Sequence, residues 1–105
     1  MKDFSKYSAI IIGAGDATGS AITKKFASHG YRVCPVRRPG SIDKVNALAK
    51  EINKSGGWAK GYGVDARDEE AVINFFKDVE ENIAPIDVVI FNPGANVFFP
   101  IEDTT

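Results

Sequence analysis

Short apolar segments alternate along the chain with segments whose apolar residues recur every three or four positions. The apolar segments are six or seven residues long, which is the usual length of a strand, and the segments between them have the period of an amphipathic helix. Strands and helices that alternate in this way are joined by right-handed crossovers and form a parallel sheet. The alternation predicts an α/β fold, with one domain over residues 1–105. The four predicted strands are Tyr7–Ile12, Tyr31–Val36, Trp58–Val64 and Ile86–Phe91.

Three helices are predicted between these strands. The first spans Thr18 to His29, the second is capped by Ser41, and the third is capped by Asp68. We expect an open sheet of strand order 3-2-1-4, with the first two helices on one face and the third on the other. Pro35 conflicts with this plan, because a proline inside a central strand removes a ladder hydrogen bond. We expect the gap to be absorbed near the end of that strand.

The composition limits the classes of partner. A formal net charge of −1 gives no electrostatic reason to expect nucleic acid or an acidic membrane surface. The apolar run in MKDFSKYSAIIIGAG is too short for a signal sequence or a membrane span, which favours a cytoplasmic location. Cys34 is the single cysteine and lies in an apolar stretch, so we expect a buried, unreactive thiol and no internal disulfide.

The stretch IIGAGDATGSAI places three glycines where the first strand meets the first helix. The N-terminus of a helix carries unpaired N–H groups and a partial positive charge, which attract phosphate. In this interpretation Gly13 makes the turn, Gly15 and Ala17 border the ligand, and Gly19 lets the helix pack close to the strand. The alternative is a tight turn without a ligand. The candidate phosphate-binding residues are Gly13, Gly15, Asp16, Ala17, Thr18 and Gly19.

Three motifs and one further segment carry a resemblance to a known family. GAGDATG resembles the G-x-x-x-G-x-G loop of the short-chain dehydrogenase/reductase family, with Ala17 in place of the middle glycine. VDARDEEAV resembles the segment in which that family places an aspartate beside the adenine ring, here Asp65. IDVVIFNPGAN is similar to the family's I-D-x-L-V-N-N-A-G segment, with Phe91 and Pro93 as departures and Asn92 and Gly94 as matches. PIEDTT looks like the loop before the family's fourth helix.

This resemblance implies a Rossmann-like fold that binds a nicotinamide dinucleotide at the carboxyl ends of the strands. The cofactor-binding residues that it adds are Asp65, Ala66, Asn92, Pro93 and Gly94. The predicted second strand is followed by Arg37, at the position where an NAD-binding chain would carry an acidic residue, and then by Arg38. Two guanidinium groups suit a 2′-phosphate, so NADP is expected rather than NAD. The alternative is that both arginines are solvated loop charges, and Asp16 could either repel the phosphate or pair with an arginine.

The family's catalytic residues are absent from this sequence. None of the three tyrosines, Tyr7, Tyr31 and Tyr62, is followed four places later by lysine, so the family's Tyr-x-x-x-Lys pair is not formed. His29 closes the first helix, where it is expected to bond the helix end. We find no paired-carboxylate site and no metal-ligand spacing. We therefore expect no turnover from this chain alone, which fits either a truncated gene product or a fragment of a longer enzyme.

A sheet without the second half of the family fold leaves its fourth strand at an edge and one face partly bare. Such surfaces favour self-association, so a homo-oligomer is expected. The segment NVFFPI either adds exposed aromatic surface or folds back and covers the apolar surface that is left bare. The leading interpretation is the NADP(H)-binding half of a short-chain dehydrogenase/reductase. The alternative is a non-catalytic oligomeric interaction or regulatory module that kept the fold. A methyltransferase is disfavoured, because it would need an acidic residue where Arg37 stands.

Overall fold

The computed structural model describes residues 3–14, 17–92 and 97–100. Within these residues six strands and three α-helices follow one another, with short 3-10 turns at Phe4–Lys6 and Pro39–Ser41. The helices are α1 Ala17–Ser28, α2 Ile42–Lys54 and α3 Glu69–Asn82. The strands are β1 Ser8–Ile12, β2 Arg32–Arg37, β3 Trp58–Ala59, β4 Tyr62–Gly63, β5 Ile86–Phe91 and β6 Val97–Pro100.

The strands form one sheet in the order β3-β2-β1-β5-β6, and β4 also pairs with β2. The pairs between β1, β2, β3, β4 and β5 are parallel. The predicted order 3-2-1-4 is confirmed, with β5 as the predicted fourth strand. The predicted third strand is instead two short pieces, β3 and β4.

The expectation that the fourth strand lies at a sheet edge is wrong. β6 pairs with β5 in the antiparallel direction, with Val89 opposite Phe99 and Phe91 opposite Val97. Within the segment NVFFPI, residues Val97–Pro100 therefore pair along the edge of β5. Antiparallel pairing gives hydrogen-bond partners to backbone groups of β5 that an open edge would leave to water.

Pro35 lies opposite the break between β3 and β4. The N–H of Arg32 donates to the carbonyl oxygen of Tyr7, the residue directly before β1. Successive amides of a strand point in alternate directions, so an amide at position 35 would point away from β1, towards β3 and β4. The paired residues of β2 are Arg32 and Val33 with β3, and Val36 and Arg37 with β4. Pro35 has no N–H to donate, so the ladder is interrupted at its position. The gap falls within the strand and not near its end.

The core has two layers, one on each face of the sheet. Val45, Leu48 and Ile52 of α2 pack with α1 against one face, around Ile11 of β1. Phe75 and Val79 of α3 pack against the other face, in a cluster with Ile10, Cys34 and Val36. The predicted distribution of the helices over the two faces is confirmed.

Cys34 is fully buried in the α3 layer. Burial raises the pKa of its thiol to about 12, so the neutral thiol is the form present at ordinary pH. This agrees with the predicted buried, unreactive cysteine. His29 lies at the end of α1, where its Nδ1 is 2.9 Å from the carbonyl oxygen of Lys25.

The two predicted helix caps differ. The side chain of Asp68 accepts a hydrogen bond of 3.2 Å from the N–H of Ala71, as expected for an N-cap. Ser41 occupies the N-cap position of α2 but makes no side-chain capping bond. The 3-10 turn Pro39–Ser41 leads directly into α2, so Ser41 has turn geometry with φ −118° and ψ 21° instead of the extended backbone usual for a cap.

Candidate functional site

The carboxyl ends of β1, β2, β4 and β5 meet on one side of the sheet. Three backbone hydrogen bonds join these ends: Gly13 N–H to Val36 O at 2.8 Å, Val64 N–H to Arg37 O at 2.8 Å, and Asn92 N–H to Ile12 O at 2.7 Å. Because all four strands are parallel, the loops that follow them lie side by side. This is the end of an open α/β sheet at which ligands bind.

A cleft of about 540 Å³ opens at these strand ends. It is lined by Ile12, Gly13, Arg37, Arg38, Val64, Asp65, Ala66, Arg67, Phe91 and Asn92. The structure thus brings together Gly13, Arg37, Arg38, Asp65, Ala66 and Asn92 from the predicted set. Ala17, Thr18 and Gly19 form the first turn of α1. Four other predicted residues, Gly15, Asp16, Pro93 and Gly94, lie outside the described residues.

Gly13 begins the turn that leads from β1 to α1. Its φ of +90° lies in the left-handed region, which side chains disfavour and glycine adopts freely. Ala17 and Thr18 then open α1 on the surface, whereas Gly19 is buried. The first N–H groups of a helix lack intrahelical partners, so this end of α1 carries partial positive charge.

Arg37 connects the end of β2 to the loop after β1. Its Nη1 donates a hydrogen bond of 3.2 Å to the carbonyl oxygen of Ala14, and its side chain is half-buried. A guanidinium has five N–H donors, so this bond leaves donors for a ligand. Arg38, the next residue, is exposed at the wall of the same cleft. Arg37 is thus anchored to the glycine turn, and Arg38 faces solvent.

Asp65 and Arg67 form an ion pair in the loop after β4. Asp65 Oδ1 accepts from the backbone N–H of Arg67 at 3.0 Å and from its Nε at 3.2 Å, and Oδ2 accepts from Nη2 at 3.3 Å. These bonds lower the pKa of Asp65 below its usual range. Arg67 was not among the predicted site residues. The one sequence feature that could have indicated Arg67 is its position, two residues after Asp65, the aspartate that matches the family motif.

Asn92 is buried at the end of β5, with a relative exposure of 5%. Its Nδ2 is a buried side-chain nitrogen that has no hydrogen-bond partner among the described residues. A buried donor without a partner costs on the order of 1–3 kcal/mol, so an acceptor in the cleft would stabilise it. Phe91, beside it, is 38% exposed and lines the cleft where the family carries a second asparagine.

A second hollow of about 370 Å³ lies between the ends of α1 and α2. Its walls include Lys24 and Glu51, which form a salt bridge of 2.8 Å, together with Ser28 and Ser55. None of the predicted site residues that the structure describes lines it. The chemistry-bearing residues therefore converge at the strand ends and not here.

The family model described as short chain dehydrogenase matches residues 7–105. The chain belongs to this family. The resemblance inferred from the three motifs is confirmed, and so is the Rossmann-like parallel sheet. The model match covers the glycine turn, the Asp65 loop and the Asn92 segment together.

Individual relatives agree with the family. The fatty acyl-CoA reductase Rv0547c of Mycobacterium tuberculosis is 34% identical over 95 residues, which are 90% of this chain and 32% of the relative. A crystal structure of a metagenomic short-chain oxidoreductase in complex with NADP superposes with a TM-score of 0.76 and 30% identity. It covers 84% of this chain and 39% of the other.

A candidate D-mannonate oxidoreductase from Haemophilus influenza with bound NAD superposes with a TM-score of 0.73 and 27% identity. The alignment covers 81% of this chain and 30% of that protein. The chain spans about a third of the length of the curated relatives that it matches. Among the described residues, no helix has both the length and the apolar character needed to cross a bilayer.

Proposed function

We propose that this chain is the NADP(H)-binding half of a short-chain dehydrogenase/reductase-type oxidoreductase. The observation that carries the proposal is the cleft at the strand ends, in which the glycine turn, two strand-end arginines and an unpartnered buried amide meet. A bound nicotinamide would supply hydride transfer to or from an alcohol or carbonyl compound. The NADP bound by the metagenomic relative, which has the same fold, supports the assignment.

The glycine turn and the start of α1 would hold the diphosphate. Gly13 lets the backbone turn without a Cβ, and the N-terminus of α1 provides positive potential. In this proposal Gly15, Asp16, Ala17, Thr18 and Gly19 also contribute to binding of the diphosphate. In the same proposal Asp65 and Ala66 border the adenine, while Asn92, Pro93 and Gly94 border the ribose and nicotinamide side. The Asn92 Nδ2 would then find the acceptor that it lacks.

The choice of NADP over NAD rests on the charges of this chain's own cleft, because relatives of this fold bind either dinucleotide. Arg37 and Arg38 stand at the end of β2, on the wall that would face the adenosine ribose. A guanidinium binds a phosphate through two charge-assisted hydrogen bonds, which a ribose hydroxyl does not reproduce. Neither residue at this strand end is acidic, so the hydroxyl recognition typical of NAD sites is missing.

Equilibrium titration of the 105-residue chain with NADPH and NADH tests this function. We expect NADPH to bind more tightly and to raise the melting temperature, because a ligand stabilises the state that it binds. Replacing Arg37 and Arg38 together by alanine should weaken NADPH binding by at least about tenfold, the loss expected for charge-assisted hydrogen bonds. NADH binding should change much less. No turnover is expected, since the sequence holds no Tyr-x-x-x-Lys pair.

Arg32→Ala is the matched control. Arg32 begins the same strand at the opposite end, where its guanidinium lies 5.4 Å from the centre of the Trp58 ring. Its loss should leave the ratio of NADPH to NADH affinity unchanged. Equal affinity for the two dinucleotides would contradict the NADP assignment. No thermal stabilisation by either would favour the alternative, a non-catalytic interaction module that kept the fold.

A further inference from the structure

Asp65 is the only carboxylate among the described residues that line the cleft. It follows Val64, whose N–H donates to the carbonyl oxygen of Arg37 at 2.8 Å. Adjacent strands lie about 4.8 Å apart, so the Asp65 loop runs one strand spacing from the Arg37–Arg38 segment. A free carboxylate there would repel a phosphate held by those arginines.

Arg67 holds both oxygens of this carboxylate. Three hydrogen bonds of 3.0 to 3.3 Å join the two residues, from the backbone N–H, Nε and Nη2 of Arg67. The Arg67 side chain is 91% exposed, and exposed ion pairs contribute little to the stability of a fold. The pair therefore has a larger effect on the charge of the cleft wall than on folding.

We propose that Arg67 is a specificity-determining residue, which neutralises Asp65 and so lets the cleft accept the 2′-phosphate of NADP(H). The inference rests on the proposed function and deepens it. With Arg67 in place the cleft wall carries three guanidinium groups and one paired carboxylate. Without Arg67, the unpaired Asp65 would stand opposite a phosphate that carries nearly two negative charges.

A double-mutant cycle on the full 105-residue chain tests this role. The four proteins are the wild type, Arg67→Ala, Asp65→Asn and the double variant Asp65→Asn/Arg67→Ala, each titrated with NADPH and with NADH. Asparagine keeps the shape of Asp65 and an oxygen that accepts from the Arg67 N–H. Any contact between residue 65 and the adenine is common to both dinucleotides, so it cancels in the ratio of their affinities.

Arg67→Ala should lower the ratio of NADPH to NADH affinity by about threefold at physiological salt, the effect expected for exposed charges one strand spacing apart. The loss should grow at low ionic strength and fade at about 0.5 M salt and above, because salt screens the interaction between exposed charges. In the Asp65→Asn background, removal of Arg67 should lower the ratio by much less, because an exposed guanidinium that no carboxylate holds at the cleft wall is solvated and acts only weakly on the phosphate.

Two results would overturn the inference. Arg67→Ala could leave the ratio at its wild-type value, which includes an equal loss for both dinucleotides, or it could lower the ratio as much in the Asp65→Asn background as in the wild type. The last result would make Arg67 a direct phosphate ligand. In each of these cases a wild type that prefers NADPH still supports the proposed function. A wild type that binds neither dinucleotide contradicts the proposed function itself.

Discussion

Two residues at the mouth of the cleft, Arg37 and Gly13, determine the path of the loop after β1, the first through its side chain and the second through its backbone. Arg37 presents a cation to the cleft and also donates to Ala14 in the loop after β1. Gly13 has no side chain to offer, yet its φ of +90° sets the direction in which that loop leaves the sheet. The turn after β1 and the end of β2 are joined by two backbone hydrogen bonds, from Gly13 and Ala14 to Val36, and by the guanidinium of Arg37.

Gly13→Ala should lower the free energy of unfolding by roughly 1–2 kcal/mol, the cost of a side chain in the left-handed region. Urea unfolding measures this loss. Gly40→Ala is the matched control, because a Cβ at Gly40 meets no atom within 4 Å and its φ is not positive. Equal effects of the two substitutions would mean that the conformation of Gly13 carries no strain for alanine.

The positions of Gly13, Arg37 and Arg38 at the cleft could be predicted from the sequence, because these residues directly follow or end recognisable strand patterns. Arg67 and the unpartnered Nδ2 of Asn92 could not. A hydrogen bond between residues two positions apart depends on the path of the loop, and a missing partner depends on every atom nearby. Phe91 was identified as a departure from the family motif, and its 38% exposure shows a ring at the cleft wall.

At the scale of elements, the sequence pattern predicts where a helix starts, but the backbone geometry decides whether the residue before it makes a capping hydrogen bond. Asp68 and Ser41 both precede amphipathic segments, yet only Asp68 makes a capping bond. The turn Pro39–Ser41 fixes the backbone of Ser41 before α2 begins. Sequence patterns place a helix start well, but they do not report the backbone conformation of the residue before it.

Asp68→Ala should destabilise the chain by about 1 kcal/mol, since the N–H of Ala71 loses its acceptor and the negative charge at the start of α3 is removed. Ser41→Ala, the matched control, should change the melting temperature by much less. Thermal unfolding of both variants measures the difference. A larger loss for Ser41→Ala would show that the structural assignment of the caps is wrong.

The helices and the strand order followed from apolar periodicity, whereas the split of the third strand and the pairing of β6 did not. Both depend on contacts with a neighbouring strand. Gly61 lies in the break, where a Cβ would come within 2.9 Å of the carbonyl carbon of Val45 in α2. The close approach of α2 and the missing amide of Pro35 together explain why the third strand is not continuous.

At the scale of the whole molecule, the two faces of the sheet are covered unequally. Two helices pack on one face and α3 alone on the other. The expected homo-oligomer can no longer be argued from a free edge of β5, because β6 pairs there. The prediction of a homo-oligomer now depends on exposed apolar surface. Phe91 lies two positions after Val89 in β5 and so faces the same side of the sheet as α3, and Ile73 of α3 is 48% exposed.

Sedimentation at micromolar concentration should therefore show a dimer or a larger species, and Ile73→Ser should shift it towards the monomer. Burial of exposed apolar groups between copies is the physical reason. Trp58→Ser is the matched control, since Trp58 is also an exposed large side chain but lies at the far edge of the sheet. A monodisperse wild-type monomer that binds no apolar dye would contradict the prediction.

The interruption opposite Pro35 has a consequence for the outer margin formed by β3 and β4. Each piece is two residues long, so neither offers a foreign strand a continuous template. Straightening the residues between them would not restore a regular ladder, because the inner strand still lacks a donor at that position. Pro35, one strand further in, thus makes the margin formed by β3 and β4 a poor template for pairing with a strand of another molecule.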